Sequence, residues 1–257
     1  MLCSTRWERS GLSTTKRSYA SSPPPLRKFS IRCTTMMVQW SHSALKDFET
    51  CARKYHELRV LKHYPREETE QTKYGELLHE AAENYVAHAQ PLPEAFLFLK
   101  EPLDALMQTK QGVRHTEFKM ALRATLDPCD WKDGLAWVRG IADLLILDDD
   151  GKTAWVVDYK SGSDKYPDKD QLVLMSLMVF QYFPQVENVY SALMFVVRNT
   201  MLKHKVRRSE AEMLWWKYRE RVGRIEECHA AGVWNPKQSG LCRKHCPVLT
   251  CEFNGRS

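Results

Sequence analysis

The stretch VRGIADLLILDDDGKTAWVVDYKSG, residues 138–162, decides the fold. Val138 to Leu147 and Ala154 to Lys160 are apolar runs of strand character, and Asp148-Asp149-Asp150-Gly151 between them is a strong turn signal. Together they read as a β-hairpin. If residues 148–151 form the turn, Leu147 faces Lys152 and paired positions sum to 299. Asp143 then opposes Val156, which shares a face with Asp158 and Lys160 because strand side chains alternate. On that register Asp143 and Asp158 are diagonal neighbours, roughly 7–8 Å apart at the backbone. Two carboxylates so placed can converge on one hard cation, with Lys160 one step further along. Without a cation, two buried acids would repel and raise each other's pKa. The grouping suits phosphodiester hydrolysis: Mg²⁺ or Mn²⁺ neutralises the phosphate and acidifies a bound water. The lysine orients that water or stabilises charge developing on phosphorus. An Asp-x-Lys pair by itself is very weak evidence and far more often an ordinary hairpin with surface ion pairs, so its surroundings carry the decision.

Upstream, Val113 to Ala121 reads as a short strand, and Tyr74 to His88 as a helix with Leu77, Leu78, Ala81, Ala82 and Tyr85 at helical spacing. Ser41 or Ser43 can cap an earlier helix running through Ala44, Phe48 and Tyr55. Downstream, Asp170 to Phe183 is a largely buried helix, Val189 to Val197 a strand covered on both faces, and Leu202 to Val206 a further strand. Ser209-Glu210-Ala211-Glu212 is a capping box opening a long helix that ends near Gly232. Helix, three strands, helix, strand is an α/β core.

The formal net charge of +6 is not an argument for nucleic-acid binding. Residues 1–36 hold seven basic residues and one acid, and the remaining 31 bases and 31 acids balance. That segment is Ser/Thr/Arg-rich and cannot bury enough apolar surface to fold alone. It is open to three readings: a start assigned too early, with Met36 or Met37 the true one; a basic disordered arm that touches DNA; or an organelle-targeting peptide. Residues 37–257 read as one domain with a cysteine-rich tail at 233–257. The longest apolar run, Leu172 to Phe183, is interrupted by Ser176 and Gln181 and is too short to cross a bilayer, so no membrane role is expected. Eight cysteines without a secretory segment suggest a reducing, cytoplasmic compartment, and clustered thiols there suggest metal ligation.

Gly140-Ile141-Ala142-Asp143 followed by Asp158-Tyr159-Lys160-Ser161-Gly162 resembles the G-x-x-D…D-x-K-(S/T)-G core of RecB-like PD-(D/E)XK nucleases. The resemblance covers about residues 41–251. It implies a restriction-endonuclease-like core, a central mixed sheet flanked by helices, with helical N- and C-terminal additions. It also implies DNA cleavage with one or two metal ions. Gly75-Glu76-Leu77-Leu78-His79 resembles the family's G-x-x-x-H helix, whose histidine reaches the metal. Taken alone, a single helical histidine is more often structural. Glu117 resembles the glutamate of the first strand that supports the site; by itself it would be a solvated strand residue. Gln171 stands where the family carries Q-x-x-x-Y, but Met175 occupies the tyrosine position and is read as core. The resemblance thus implies catalytic Asp143, Asp158, Lys160, Glu117 and Gln171, and a metal held by His79, Asp143, Asp158 and Tyr159.

Cys242, Cys246 and Cys251 lie in a loop-like tail, with Cys51 far away in sequence. One early and three late cysteines are similar to the iron–sulfur subgroup of the superfamily, AddB-type and CRISPR-associated relatives included, where a [4Fe–4S] cluster pins the tail to the N-terminal helix. The spacing here is C-x3-C-x4-C rather than C-x2-C-x5-C, and His245 occupies the usual middle position. A Cys/His zinc site and unmetallated thiols therefore stay open. Cys3, Cys33, Cys129 and Cys228 are read as ordinary thiols.

The expected function is an exonuclease acting on DNA ends or single strands in recombination, repair or phage DNA metabolism, in a bacterial or phage-infected cell, with a helicase or recombination partner. Lys165, Tyr166, Arg198 and Lys203 are candidate substrate contacts, or ordinary surface residues. The competing readings are a nuclease-like DNA-binding module without catalysis and a metal-stapled interaction protein.

Overall fold

The computed structural model describes residues 37–65, 68–162, 165 and 168–255. The readings of residues 1–36 and of Tyr166 lie outside the described residues. Helix α1 (His42–Thr50) begins where Ser41 Oγ accepts the Ala44 N–H at 3.3 Å. It does not continue to Tyr55 as the spacing suggests. Cys51 is extended (φ −166, ψ 118), and a separate α2 (Ala52–Tyr55) runs into a π-helical turn, His56–Val60. Helix α3 (Glu70–His88) starts a turn before Tyr74 because Thr69 and Thr72 satisfy each other's backbone N–H groups. A 3₁₀ turn (Glu94–Leu99) and α4 (Lys100–Thr109), which the sequence pattern does not signal, follow. Pro102 sits in the first turn of α4, where its missing N–H costs nothing.

Six strands form one sheet: β1 (Val113–Leu122), β2 (Pro128–Cys129), β3 (Val138–Leu147), β4 (Thr153–Lys160), β5 (Asn188–Phe195) and β6 (Thr200–Arg207), in the order β2-β1-β3-β4-β5-β6. All neighbours are antiparallel except β4 and β5, which run parallel across the crossover helix α5 (Lys169–Tyr182). Helix α6 (Ala211–Ala231) ends at Gly232 in the left-handed region. Its start differs from expectation: Glu210, not Glu212, reaches back to a backbone N–H, that of Arg207 at 2.8 Å, and no Ser209 cap forms. The result is the mixed sheet flanked by helices that a restriction-endonuclease-like core requires. Among the described residues no helix is long and apolar enough to cross a membrane.

Two apolar layers cover the sheet. On one side α1, α5 and α6 pack on Met120, Ala142, Leu145 and Val156. On the other, α3 and α4 bring Leu78 and Leu103 against Leu144, Ile146, Val157 and Tyr159. Helix α5 is buried nearly all round, which is why Leu172 to Phe180 shows no polar stripe.

Two departures from ideal geometry place the site. In the β3–β4 hairpin Leu147 pairs with Ala154 and Leu144 with Val157, so positions sum to 301 rather than 299. Asp150 accepts the N–H groups of Lys152 and Thr153, which holds Lys152 in the loop and moves the start of β4 to Thr153. A shift of two preserves which face each side chain takes. It does bring Asp143 level with Asp158, just beyond the last ladder pair. The second departure is a slip in alternation. Ala142 and Leu145 both face α5, while Leu144 and Ile146 face α3. On β1 the rings of His115 and Phe118, three residues apart, lie together at 5.1 Å. Between them Glu117 adopts φ +47, uncommon for a residue with a side chain. Glu117 and Asp143 would pair in the β1–β3 register, yet they are missing from its ladder. Both strands turn over at the same level.

Candidate metal centre

That turn-over aims two carboxylates at α3. One ligand atom each from His79, Glu117 and Asp143 lies within 4.8 Å of the others. His79 Nδ1 is 3.3 Å from Asp143 Oδ2 and 3.8 Å from Glu117 Oε1. Asp143 Oδ2 also accepts the Tyr159 N–H at 2.6 Å, a bond made available where the β3–β4 ladder ends. Strain at Glu117, of order 1–3 kcal/mol for such a backbone, is concentrated at the site, as is common in functional centres.

Asp158 lies beside this triad but outside it. Its Oδ1 accepts from Gln171 Nε2 at 2.5 Å, and Lys160 Nζ is 2.5 Å from its Oδ2. Oδ2 is buried, and the Lys160 ammonium is the partner that meets its charge. Burial first, then the charge of Asp143, push Asp158 up to about 6, against the pull of Lys160. Burial disfavours charge on His79, but Asp143, Glu117 and Asp158 outweigh it and push the imidazole up to about 10. The acidic cluster thus demands a positive charge in its midst.

Of the sequence-predicted residues, His79, Glu117 and Asp143 come together, with Asp158, Lys160 and Gln171 alongside. The reading that Asp143 and Asp158 form the primary pair is modified: the mutually close set is His79, Glu117 and Asp143. Tyr159 enters through its backbone. Its ring packs at 6.1 Å from His79, and its hydroxyl is buried without a partner. Gly140 matters for packing, since a Cβ there would sit 2.4 Å from Met175 Cε and 3.0 Å from Met178 Sδ. Met175 therefore packs as core, close against the strand that carries Asp143.

A clamp that sequence reasoning missed holds the N-terminus of α5, where Gln171 sits. Asp168 caps the helix by accepting the Asp170 N–H, and Lys46 and His42 of α1 reach its Oδ2 at 2.7 and 3.3 Å. Arg221 of α6 bridges Asp170 (2.8 Å) and Glu49 of α1 (2.6 and 2.8 Å). Tyr218 donates to the Asp170 carbonyl at 2.7 Å. Only Asp168, an aspartate just before an apolar helix, left a local signal.

The four predicted cysteines also meet. Cys51, at the break between α1 and α2, lines one pocket with Cys242, Cys246 and Cys251, and His245 joins them. Backbone N–H groups of Lys237 and Ser239 point at the Cys51 and Cys242 sulfurs, each at 3.3 Å. Trp234 stacks on His56 and Tyr55, anchoring the tail to the N-terminal helices. Among the described residues no three of these thiols lie within 4.8 Å of one another.

The sequence profile of the PD-(D/E)XK nuclease superfamily matches residues 39–251. Among solved structures the chain is similar to the protein SSO0001, at 14% identity and TM-score 0.36, covering 84% of this chain and 87% of that one. It is also similar to a candidate exonuclease from Eubacterium rectale, at 14% identity and TM-score 0.48, covering 90% and 92%. No curated protein sequence matches it.

Proposed function

Because the chain belongs to the PD-(D/E)XK nuclease superfamily, we propose that it hydrolyses DNA phosphodiester bonds with Mg²⁺ or Mn²⁺, as an exonuclease acting on ends or single strands. The observation that carries the reading is the convergence of His79, Glu117 and Asp143 beside Asp158 and Lys160. One imidazole nitrogen with carboxylate oxygens is a donor set for a hard divalent ion, and Asp158, paired with Lys160, lies beside it as a further carboxylate. When bound, that ion supplies Lewis acidity toward the phosphate and acidifies water.

The chain's own residues do the positioning. Gln171 holds Asp158 by one oxygen, and the other pairs with Lys160. The Tyr159 N–H holds Asp143 in the same way. Lys160, a third exposed at its side chain, places an ammonium where a phosphate would meet Asp158, and there it stabilises negative charge as the bond breaks. The motif resemblance and the shared pocket support a [4Fe–4S] cluster, with zinc as the alternative, held by Cys51, Cys242, Cys246 and Cys251 in a structural role that ties the tail to α1. Participation in recombination, repair or phage DNA metabolism beside a helicase, in a cytoplasmic setting, rests on the motif resemblance.

The test is cleavage of end-labelled single- and double-stranded DNA with Mn²⁺, using anaerobically purified protein and its Asp158→Ala variant. Cutting by wild type that is lost in the variant supports the proposal, and a ladder of short products from one end supports exonuclease action. Folded, metal-replete wild type that binds DNA without cutting it makes this a binding module instead.

A further inference from the structure

Beyond the centre, the α3–α4 side of the sheet is incompletely covered. Helix α4 shields β4, and between α4 and β6 the same face carries a groove of about 550 Å³. The strand register lays out three rungs: Trp155 and Tyr190, with Lys205 beside them; Val157, Ala192 and Lys203; Met194 and Met201, with Tyr159 beside them. Trp155 and Tyr190 stack at 4.4 Å. Lys110 caps the outer face of Trp155 at 3.5 Å, and Lys205 bonds the Tyr190 hydroxyl at 2.8 Å. Lys203 lines the rim, and no carboxylate does so among the described residues. Composition does not account for this, since acids and bases balance outside residues 1–36.

We propose that this groove is a second binding site, for single-stranded nucleic acid, that feeds the candidate metal centre. The proposal rests on the nuclease reading and extends it to the substrate. Single strands expose apolar base faces, which the half-buried Trp155–Tyr190 pair and the exposed Met201 can cover above a buried Val157–Ala192–Met194 floor. They carry a phosphate per nucleotide, which the three ammonium groups can neutralise. A duplex hides its base faces and leaves that floor unused. The third rung adjoins the centre, because Tyr159, paired with Met194, packs against His79. Lysines on an edge strand also discourage strand pairing, but that role does not call for the apolar floor or for Lys110 of another element.

The experiment uses the full chain and a Lys110→Gln/Lys203→Gln/Lys205→Gln variant. Binding of fluorescein-labelled (dT)30 is followed by anisotropy in EDTA across a salt series. Turnover of (dT)30 and of bis(p-nitrophenyl) phosphate is followed with Mn²⁺. The variant should bind at least tenfold more weakly. Its salt slope should fall by about 2, because each phosphate that a lysine neutralises on a single strand adds roughly 0.7 to that slope. KM for (dT)30 should rise, with kcat and turnover of the small diester unchanged. Met201→Glu, at an exposed position within the groove, should weaken binding without removing a lysine. Wild-type affinity and salt slope in both variants overturn the proposal. So does a groove that binds an acidic peptide which (dT)30 fails to displace. A wild type that binds (dT)30 through these lysines but turns over neither substrate refutes the nuclease reading and leaves the groove standing.

Discussion

Replacing Arg221 by alanine tests whether the clamp on α5 sets the geometry of Asp158. Arg221 makes a two-pronged bond to Glu49 and an ion pair to Asp170, and its side chain is 23% exposed. Charge-assisted hydrogen bonds contribute about 1.5–3 kcal/mol when sheltered. Glu49 and Asp170 are each more than a third exposed, so solvent screening reduces both interactions. Roughly 1.5–2 kcal/mol for the Glu49 fork and about 0.5–1 for Asp170 give a total loss of about 2–3 kcal/mol, measurable by urea denaturation. Asp170 immediately precedes Gln171, whose amide holds Asp158. Loosening it should lower kcat by roughly ten- to a hundredfold, with KM little changed, since a misplacement of about 1 Å is enough for such losses. Arg221→Lys keeps the charge but not the fork and should fall between. In a Gln171→Ala background, Arg221→Ala should cost no further kcat, because the two act in series. Loss of stability with wild-type kcat, or fully additive kcat losses, would refute the reasoning.

Asp158→Ala and Lys160→Ala should each abolish cleavage with the fold intact by circular dichroism; wild-type turnover in either would remove them from the centre. Gly140→Ala should cost about 1–3 kcal/mol by overpacking against Met175 and Met178, at the lower end because methionines yield; a melting temperature equal to wild type would contradict that contact. Cys251→Ser should lower the melting temperature and remove any visible absorbance of anaerobically purified protein, and an unchanged spectrum would exclude a cluster there. The metal-free protein should lose stability as pH rises. His79, raised to about 10, contributes stability fully below about 6.5, its ordinary value, and loses it as pH approaches 10. Asp158, raised to about 6, adds a penalty that builds as pH rises from the ordinary carboxylate range and is complete above about 6. Saturating Mn²⁺ should flatten the slope in thermal melts from pH 5 to 9, and an equal slope with and without Mn²⁺ would argue against an ion at these residues.

The amino-acid sequence by itself determined the element types, because strand alternation, helical spacing, the Asp-rich turn and the Ser41 cap are local properties of a few adjacent residues. It also marked His79, Glu117, Asp143, Asp158, Lys160, Gln171 and the four cysteines as candidates, through motif spacing. It did not reveal α4, whose ten residues and single buried face carry little periodic signal, nor the break at Cys51, where the thiol pocket rather than helix propensity sets the backbone. Only the tertiary structure decided the hairpin register, because Asp150 captures two extra backbone N–H groups in the loop. Only it decided the turn-over at Glu117 and Asp143, which a period-2 pattern cannot encode, and the clamp of α1 and α6 on α5. Those features depend on which surfaces meet across more than a hundred residues of chain, and no local periodicity carries that information.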